Sequence, residues 1–256
     1  MNLPLDQQYL QAELGCDFKV TVEQSVASTN NFSAKASHLT EVQLAEQQTM
    51  GRGRFGREWH SPAGQNIYLS IRKSMPNGVG QLAGLSLALA MSLCDAIEEQ
   101  VSLPERLGIK WPNDIFYYGK KFAGVLVELK SKSLVVGLGL NVNMSCSKIL
   151  VPNGISIFDI VGTELDRNRL VVALIKAIEF CFAKYKTHGF SAFSGDWAQR
   201  DILLNNKINL QHGPAKIAGV ARGIDPNGHL LVETMPGQQQ TFIAGEVSLG
   251  SACLKP

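Results

Sequence analysis

No cysteine pair in this chain is spaced as Cys-x-x-Cys. Cys16, Cys94, Cys146, Cys181 and Cys253 are scattered through 256 residues. An odd, unclustered set fits buried or incidental thiols in a reducing compartment better than a disulfide framework. The five histidines are equally dispersed and leave no structural zinc pattern. Met1-Asn2-Leu3-Pro4-Leu5-Asp6 has neither a basic start nor an apolar core, so no signal peptide is expected. The longest apolar run, Leu82 to Leu93, falls short of the roughly 20 residues that a bilayer-spanning helix needs. Heptads, internal repeats and low-complexity tracts are missing too. The expectation is a cytoplasmic protein without a membrane partner.

Net charge is also nearly absent: 24 Lys+Arg against 22 Asp+Glu leave +2, with a pI near 8.2. That is too mild to argue for nucleic acid, and none is expected as a partner. The 45% hydrophobic content is ample for a packed core, in one large domain or a domain with a small appendage.

The basicity that is present is local. Gly51-Arg52-Gly53-Arg54-Phe55-Gly56-Arg57-Glu58-Trp59 puts three glycines and three arginines into seven residues. Repelling arginines and glycine entropy both oppose a helix or strand. Guanidinium forks and bare amides suit an anion, so this stretch reads as a phosphate-gripping loop that becomes ordered on its ligand. A solvated basic turn is the plain alternative. The string also fits Gly-x-Gly-x-x-Gly, but the dinucleotide fingerprint needs a buried strand before it, a helix after it and an acid about 20 positions on. Ala45-Glu46-Gln47-Gln48-Thr49 precedes, Ser61-Pro62-Ala63-Gly64 interrupts, and Arg72-Lys73-Ser74 supplies no acid. The match is rejected, and no P-loop lysine ends the segment.

Along the chain, Phe18 to Val22 alternates like a strand. Ser28-Thr29-Asn30-Asn31 can cap a helix toward Leu44 that contains Glu41, or can offer hydroxyls to a polar ligand. Asn66 to Ile71 reads as a strand, Met75 to Gly80 as a turn, and Gln81 to Gln100 as a buried apolar helix. Ile109-Lys110-Trp111, Asp114 to Tyr118, Phe122 to Leu129 and Leu134 to Asn143 form an antiparallel meander with tight turns. Along its fourth strand, Leu134, Val136, Leu138, Leu140 and Val142 share a core face. Val135, Gly137, Gly139, Asn141 and Asn143 share the other. That bare, amide-ended face suits a ligand lying on the sheet, or glycines tolerating an overlying helix. Met144 to Gly154 is a second candidate mobile loop, Asp166 caps a helix to about Lys186, and Ser191 to Asn205 is helical, then linking. From Lys207 short strands and turns describe a small β-barrel of the SH3-like size class. The expected division is 1–205 and 206–256.

Lys110-Trp111-Pro112-Asn113-Asp114 and Lys121-Phe122-Ala123-Gly124-Val125 bracket one hairpin, which can bring Lys110 and Lys121 together beside the glycine face. With three arginines and one carboxylate, Asp114, these describe a pocket for polyphosphate and carboxylate. Asp114 or Asn113 could help hold Mg²⁺.

Gln48 to Arg57, Lys110-Trp111-Pro112-Asn113-Asp114, Lys121-Phe122-Ala123-Gly124 and Gly137-Leu138-Gly139-Leu140-Asn141 resemble, in order, the signature blocks of the biotin–protein ligases. Gly245-Glu246-Val247-Ser248-Leu249 resembles that family's C-terminal barrel. The resemblance implies an α+β fold like the class II aminoacyl-tRNA synthetases and biotin ligases: a mixed, mainly antiparallel sheet flanked by helices, with an SH3-like C-terminal barrel. It implies ATP and biotin as substrates with Mg²⁺, biotinyl-5′-AMP as intermediate, and transfer to a lysine of a biotin carboxyl carrier domain of acetyl-CoA carboxylase or a related carboxylase; a homodimer is compatible with it. By the same resemblance Ser28, Thr29, Asn30, Gln48, Arg52, Gly53, Arg54, Lys121 and Gly124 hold biotin. Arg54, Arg57, Trp59, Lys110, Asn113, Asp114, Lys121 and Asn141 hold ATP, Asp114 is the metal candidate, and Lys121 and Arg54 are the catalytic pair. Only 27 residues precede Ser28 and show no pair of short helices, so no operator binding is expected. Gly250 stands where some relatives have arginine. Rival readings are a lipoate–protein ligase and a non-enzymatic nucleic-acid binder.

Overall fold

The computed structural model describes residues 3–32, 38–74, 82, 84–130, 133–146 and 153–249. The turn expected at Met75 to Gly80, most of the loop expected at Met144 to Gly154, and Gly250 lie outside them.

Two sheets carry the architecture. The first has seven strands in the order β1-β2-β3-β7-β6-β5-β4, formed by β1 (Phe18–Glu23), β2 (Thr40–Ala45), β3 (Ile67–Ser74), β4 (Gly108–Lys110), β5 (Asp114–Tyr117), β6 (Lys120–Lys130) and β7 (Ser133–Leu140). β1 and β2 are parallel and every other pairing is antiparallel. The meander expected from the short turns is therefore present, and the sheet is mixed, as expected.

One face of this sheet is covered by α2 (Leu85–Gln100) and α4 (Arg167–His188), which pack on each other. α2 is apolar on most sides, and residues such as Leu87, Leu89, Leu93 and Ile97 join Val136, Leu138 and Leu140 of β7 in one core. α4 begins where Asp166 was expected to cap it: the carboxylate accepts from Asn168 N–H at 2.9 Å. A short α3 (Ile157–Val161) follows β7, with Ser156 and Asp159 forming a reciprocal capping box.

Among the described residues of the span, the helix expected from Ser28 toward Leu44 is not formed. Thr40–Ala45 is β2, and Glu41 lies in it, hydrogen-bonded to Arg72 Nε at 2.7 Å. Val42 and Leu44, two apart, join the main core as one face of a strand does, and Glu41 and Ala45 on the other face are buried too. Its pairing with β1 across a parallel crossover is non-local and left no turn signal to read. At the sheet's β1 edge, α1 (Gln7–Leu14) supplies side chains in place of a neighbouring strand. Gln11 Oε1 accepts from Val20 N–H at 3.0 Å and Gln7 Oε1 from Val22 N–H at 3.0 Å.

After α5 (Trp197–Arg200), the second sheet takes the order β11-β10-β9-β8-β12. Its strands are β8 (Lys207–His212), β9 (Ala215–Ile224), β10 (Leu230–Met235), β11 (Gln238–Phe242) and β12 (Glu246–Leu249). It is fully antiparallel, the small C-terminal SH3-like unit expected. It sits against the larger sheet: Trp111 Nε1 donates to Gly228 O at 3.1 Å, and a Cβ on Gly228 would come 2.8 Å from Gly84 Cα. Glycine is required there by close approach, and the contact brings the start of β12 to the rim of a cleft. Among the described residues no helix is long and apolar enough to cross a membrane.

Candidate active site

The cleft has a floor, a polar head, a flap and a cationic end. The floor comes from β6 and β7, where Gly124 opposes Gly139 and Leu126 opposes Gly137. A Cβ on Gly139 would collide with the Trp59 indole, and one on Gly137 with the Asn30 carboxamide. At Gly124 the squeeze is milder, 3.3 Å from Trp59. What lies on the bare face is thus a pair of site side chains and not a helix. Asn141 and Asn143 do not extend that face, because β7 ends at Leu140 and the alternation ends with it. Asn141 Nδ2 donates to Ile155 O at 3.1 Å and Lys121 O at 3.4 Å, outside the cleft lining. Asn143 exchanges hydrogen bonds with the Leu165 backbone.

The head is the buried turn Ser28-Thr29-Asn30, where Asn31 N–H donates to Ser28 O at 3.0 Å. Gln48 Oε1 accepts from Thr29 N–H at 2.9 Å and Thr29 Oγ1 at 3.2 Å, while its Nε2 donates to Ser61 Oγ at 3.1 Å. Ser70 Oγ of β3 donates to Asn30 Oδ1 at 2.5 Å and lies 2.7 Å from Thr29 Oγ1. Among the described residues no helix follows Ser28 to Asn31, and Thr40–Ala45, where the capped helix was expected to run, is a strand.

The flap is Gly51 to Trp59. The sequence reading gave its order to a bound anion, yet its backbone pairs with itself: Trp59 N–H donates to Gly51 O at 2.9 Å and Gly53 N–H to Arg57 O at 2.7 Å. Between them Arg54–Gly56 makes a 3₁₀ turn with Phe55 at φ 57°, at the tip and largely exposed. A Cβ on Gly51 would stand 2.6 Å from Ser61 Oγ and 2.7 Å from Trp59 O, so only glycine lets the flap leave the head this closely. Arg52 reaches Asn31 Oδ1 at 3.1 Å. Arg57 pairs with Glu246 of β12, which ties the flap to the barrel.

At the cationic end, Lys121 Nζ lies 2.9 Å from Asp114 Oδ1 and 5.2 Å from the Trp59 ring. Lys110 Nζ stands 5.4 Å from the Phe116 ring. Burial pulls the Lys110 ammonium below its ordinary value; Asp114 and Glu246 oppose that, and Lys121 and Arg57 reinforce it. Burial likewise lowers Arg54, with Asp114 and Glu246 pulling back. Five cations thus outnumber the three carboxylates of the lining, Glu58, Asp114 and Glu246, and the last two are already engaged by Lys121 and Arg57: a field suited to anions carrying more than one charge.

Most of the expected residues converge. Ser28, Thr29, Asn30, Gln48, Arg52, Gly53, Arg54, Arg57, Trp59, Lys110, Asn113, Asp114, Lys121 and Gly124 all line this cleft, and Asn141 does not. Asn113 lines it with its amide committed, donating to Val125 O at 2.6 Å. Sequence reasoning gave no site role to Ser70, Glu128 or Glu246. Ser70 sits on a segment whose sequence marks it only as a strand, and Glu246 lies more than a hundred residues from the lysines it faces, so neither had a local signal. Among the described residues no group of three or more His, Cys, Asp or Glu could hold a metal ion.

A glycine-floored sheet ringed by cations, with a barrel carboxylate at its rim, forms a cleft suited to anionic ligands. Residues 18–145 match the Biotin/lipoate A/B protein ligase family, and residues 204–250 match the Biotin protein ligase C terminal domain. The chain belongs to this family, on its biotin–protein ligase branch. It is 34% identical over 215 residues to the bifunctional ligase/repressor BirA of Escherichia coli, which covers 82% of this chain and 66% of BirA. The chain thus spans just under two thirds of that relative. The biotin--[acetyl-CoA-carboxylase] ligase of Mycobacterium tuberculosis is 30% identical, with 95% of each chain covered. Among solved structures, the biotin protein ligase from Aquifex aeolicus in complex with biotin and ATP superposes with a TM-score of 0.78 at 30% identity, over 90% of this chain and 98% of that one.

Proposed function

We propose that this protein joins biotin to ATP in the cleft and passes the biotinyl group to a lysine of a biotin carboxyl carrier domain of a carboxylase. The observation that carries this reading is the excess of cations over a glycine floor: Arg52, Arg54, Arg57, Lys110 and Lys121 against Glu58, Asp114 and Glu246. A carboxylate and a triphosphate repel each other, so their reaction needs positive charge fixed on both.

In the first step a biotin carboxylate oxygen bonds to the α-phosphorus as the bond to the bridging oxygen breaks, and pyrophosphate leaves. Lys121 holds the carboxylate and α-phosphate through that change, and Arg54 supports it from the flap. Ser28, Thr29 and Gln48 meet biotin's polar ring, while Gly124 lets its chain lie against β6. Lys110 and Arg57 take the outer phosphates, and Trp59 lies by the nucleotide. Asn141, bound to Lys121 O, acts by holding that strand in place. In the second step the carrier lysine's free amine bonds to the activated carbonyl, AMP leaves, and the amine's proton passes to solvent. No side-chain nucleophile is required. The flap keeps water from the mixed anhydride between the steps.

Mg²⁺ fits this donor set only in the mode that takes most of its ligands from phosphates and water, since Asp114 is already paired with Lys121 and Glu246 with Arg57. It would neutralise phosphate charge there.

Incubation of the purified protein with ATP and either labelled biotin or labelled lipoate tests the reading. Biotinyl-AMP is the expected product, and lipoyl-AMP without biotinyl-AMP would overturn it.

A further inference from the structure

Glu128 belongs to no step above, yet it sits where the head and the flap meet. On β6 it follows Gly124 and Leu126 at two-residue spacing, and it opposes Val135 of β7 as they oppose Gly139 and Gly137. It is therefore the next position along the site face beyond the glycine that Asn30 covers.

Asn30 spans three strands from that place. Its Oδ1 accepts from Ser70 on β3, its carboxamide lies on Gly137 of β7, and its Nδ2 donates to Glu128 Oε2 on β6 at 2.8 Å. An ionised carboxylate only accepts, so Glu128 dictates which end of the amide faces it and leaves Oδ1 for the serine. The same carboxylate oxygen stands 3.5 Å from Arg52 of the flap and 3.6 Å from Lys130. Lys130 Nζ also donates to Asn30 O at 2.6 Å, and Arg52 to Asn31 Oδ1.

Magnitudes separate the two roles of this carboxylate. Its pair with Arg52 is partly solvated and contributes little to stability. Asn30, however, is only 3% exposed, and stripping the partner from its Nδ2 leaves a buried donor unsatisfied, which costs much more.

We infer that Glu128 is a positioning residue, which fixes Asn30 in the head of the pocket and tethers Arg52 of the flap, so that the two order as one polar unit. This rests on the cleft being the site of biotin adenylation.

The test compares full-length Glu128→Ala and Glu128→Gln with the unmodified protein in thermal melts, steady-state pyrophosphate release and the rate at which biotinyl-AMP escapes. For Glu128→Ala the expected result is a KM for biotin raised roughly tenfold and adenylate escape accelerated by a similar factor, with kcat little changed. Glutamine can still accept from Asn30 Nδ2 but brings no charge to Arg52. Glu128→Gln should therefore restore KM while escape stays fast, with an unchanged melting temperature. Unmodified KM and escape in Glu128→Ala would overturn the inference, as would a loss of both in Glu128→Gln in proportion to lost stability. If the alanine variant does not fold, the glutamine variant decides alone: fast escape supports the inference and normal escape ends it. Absence of biotinyl-AMP from the unmodified protein would instead sink the functional reading.

Discussion

Two groups of arginines in this molecule live under opposite conditions. Arg167, at the start of α4, is 1% exposed and has both terminal nitrogens matched, its Nε alone being without a partner: it donates to Glu46 at 2.6 and 3.3 Å, to Asn66 O at 3.1 Å and to Leu3 O at 2.9 Å. Arg200 is enclosed in the same way by Glu98, Asp95 and Leu107 O. In the cleft, Arg52, Arg54 and Arg57 share carboxylates with two lysines and stay partly open to solvent. A buried cation must be neutralised by the fold itself, because desolvation would otherwise expel it. A cation left in surplus at a cleft is available to something that arrives. The first kind holds the chain together, and the second kind gives it chemistry.

The largest test of that division is Arg167→Ala, which strands Glu46 inside the protein. Breaking a buried pair costs about 3–5 kcal/mol, so urea unfolding should show a loss of that order. Unchanged stability would erase the distinction between the two groups. Lys121→Ala should do the reverse: adenylation slows by about 10²–10³-fold, some 2.7–4 kcal/mol of transition-state stabilisation, while the melting temperature hardly moves. Single-turnover pyrophosphate release measures it, and Lys120→Ala, whose side chain is exposed and outside the cleft, is the control. A normal rate for Lys121→Ala would show that the wrong cation was chosen. Arg54→Gly should loosen the flap, so the adenylate escapes and bystander lysines become labelled; labelling confined to the carrier would remove the flap from its role as a lid.

The smallest effect lies in acid. Burial pushes the Glu98 carboxyl upward, but hydrogen bonds from Arg200 and Leu107 N–H outweigh it, and its value falls below the ordinary one. A carboxylate depressed in the folded state stabilises fully above its unfolded value, about 4.3, and that contribution fades as pH falls through the folded value. Melts across that acid window should show Glu98→Gln losing less stability than the unmodified protein. Parallel curves would show that the Arg200 cluster does not titrate with folding.

The sequence made some of this legible for clear reasons. Gly137 and Gly139 announced the floor because a strand alternates its faces, and Lys110 and Lys121 announced the cationic end because a short hairpin brings its two ends together. Asp166 was readable as a cap from its place before an amphipathic stripe. The rest depended on contacts that local pattern does not encode. β2 reads as a helix in the sequence because its partner β1 lies across a crossover, and the short alternation Glu41-Val42-Gln43-Leu44 is outweighed by the capping residues Ser28 to Asn31. Asn141 and Asn143 were placed on the ligand face by extending a strand past Leu140, where it stops. Glu246 and Ser70 reach the cleft only through the packing of whole elements.

The indole on Gly139 has a practical consequence. Of the chain's three tryptophans, Trp111 and Trp197 are buried and donate to Gly228 O and Asp201 Oδ2. Trp59 alone rests on the cleft floor, its Nε1 without a hydrogen-bond partner and a lysine ammonium over its ring. Its emission therefore offers an intrinsic optical signal for occupancy of the cleft, readable in the unlabelled protein; Trp111 also lines the cleft, and Trp197 lies outside that lining.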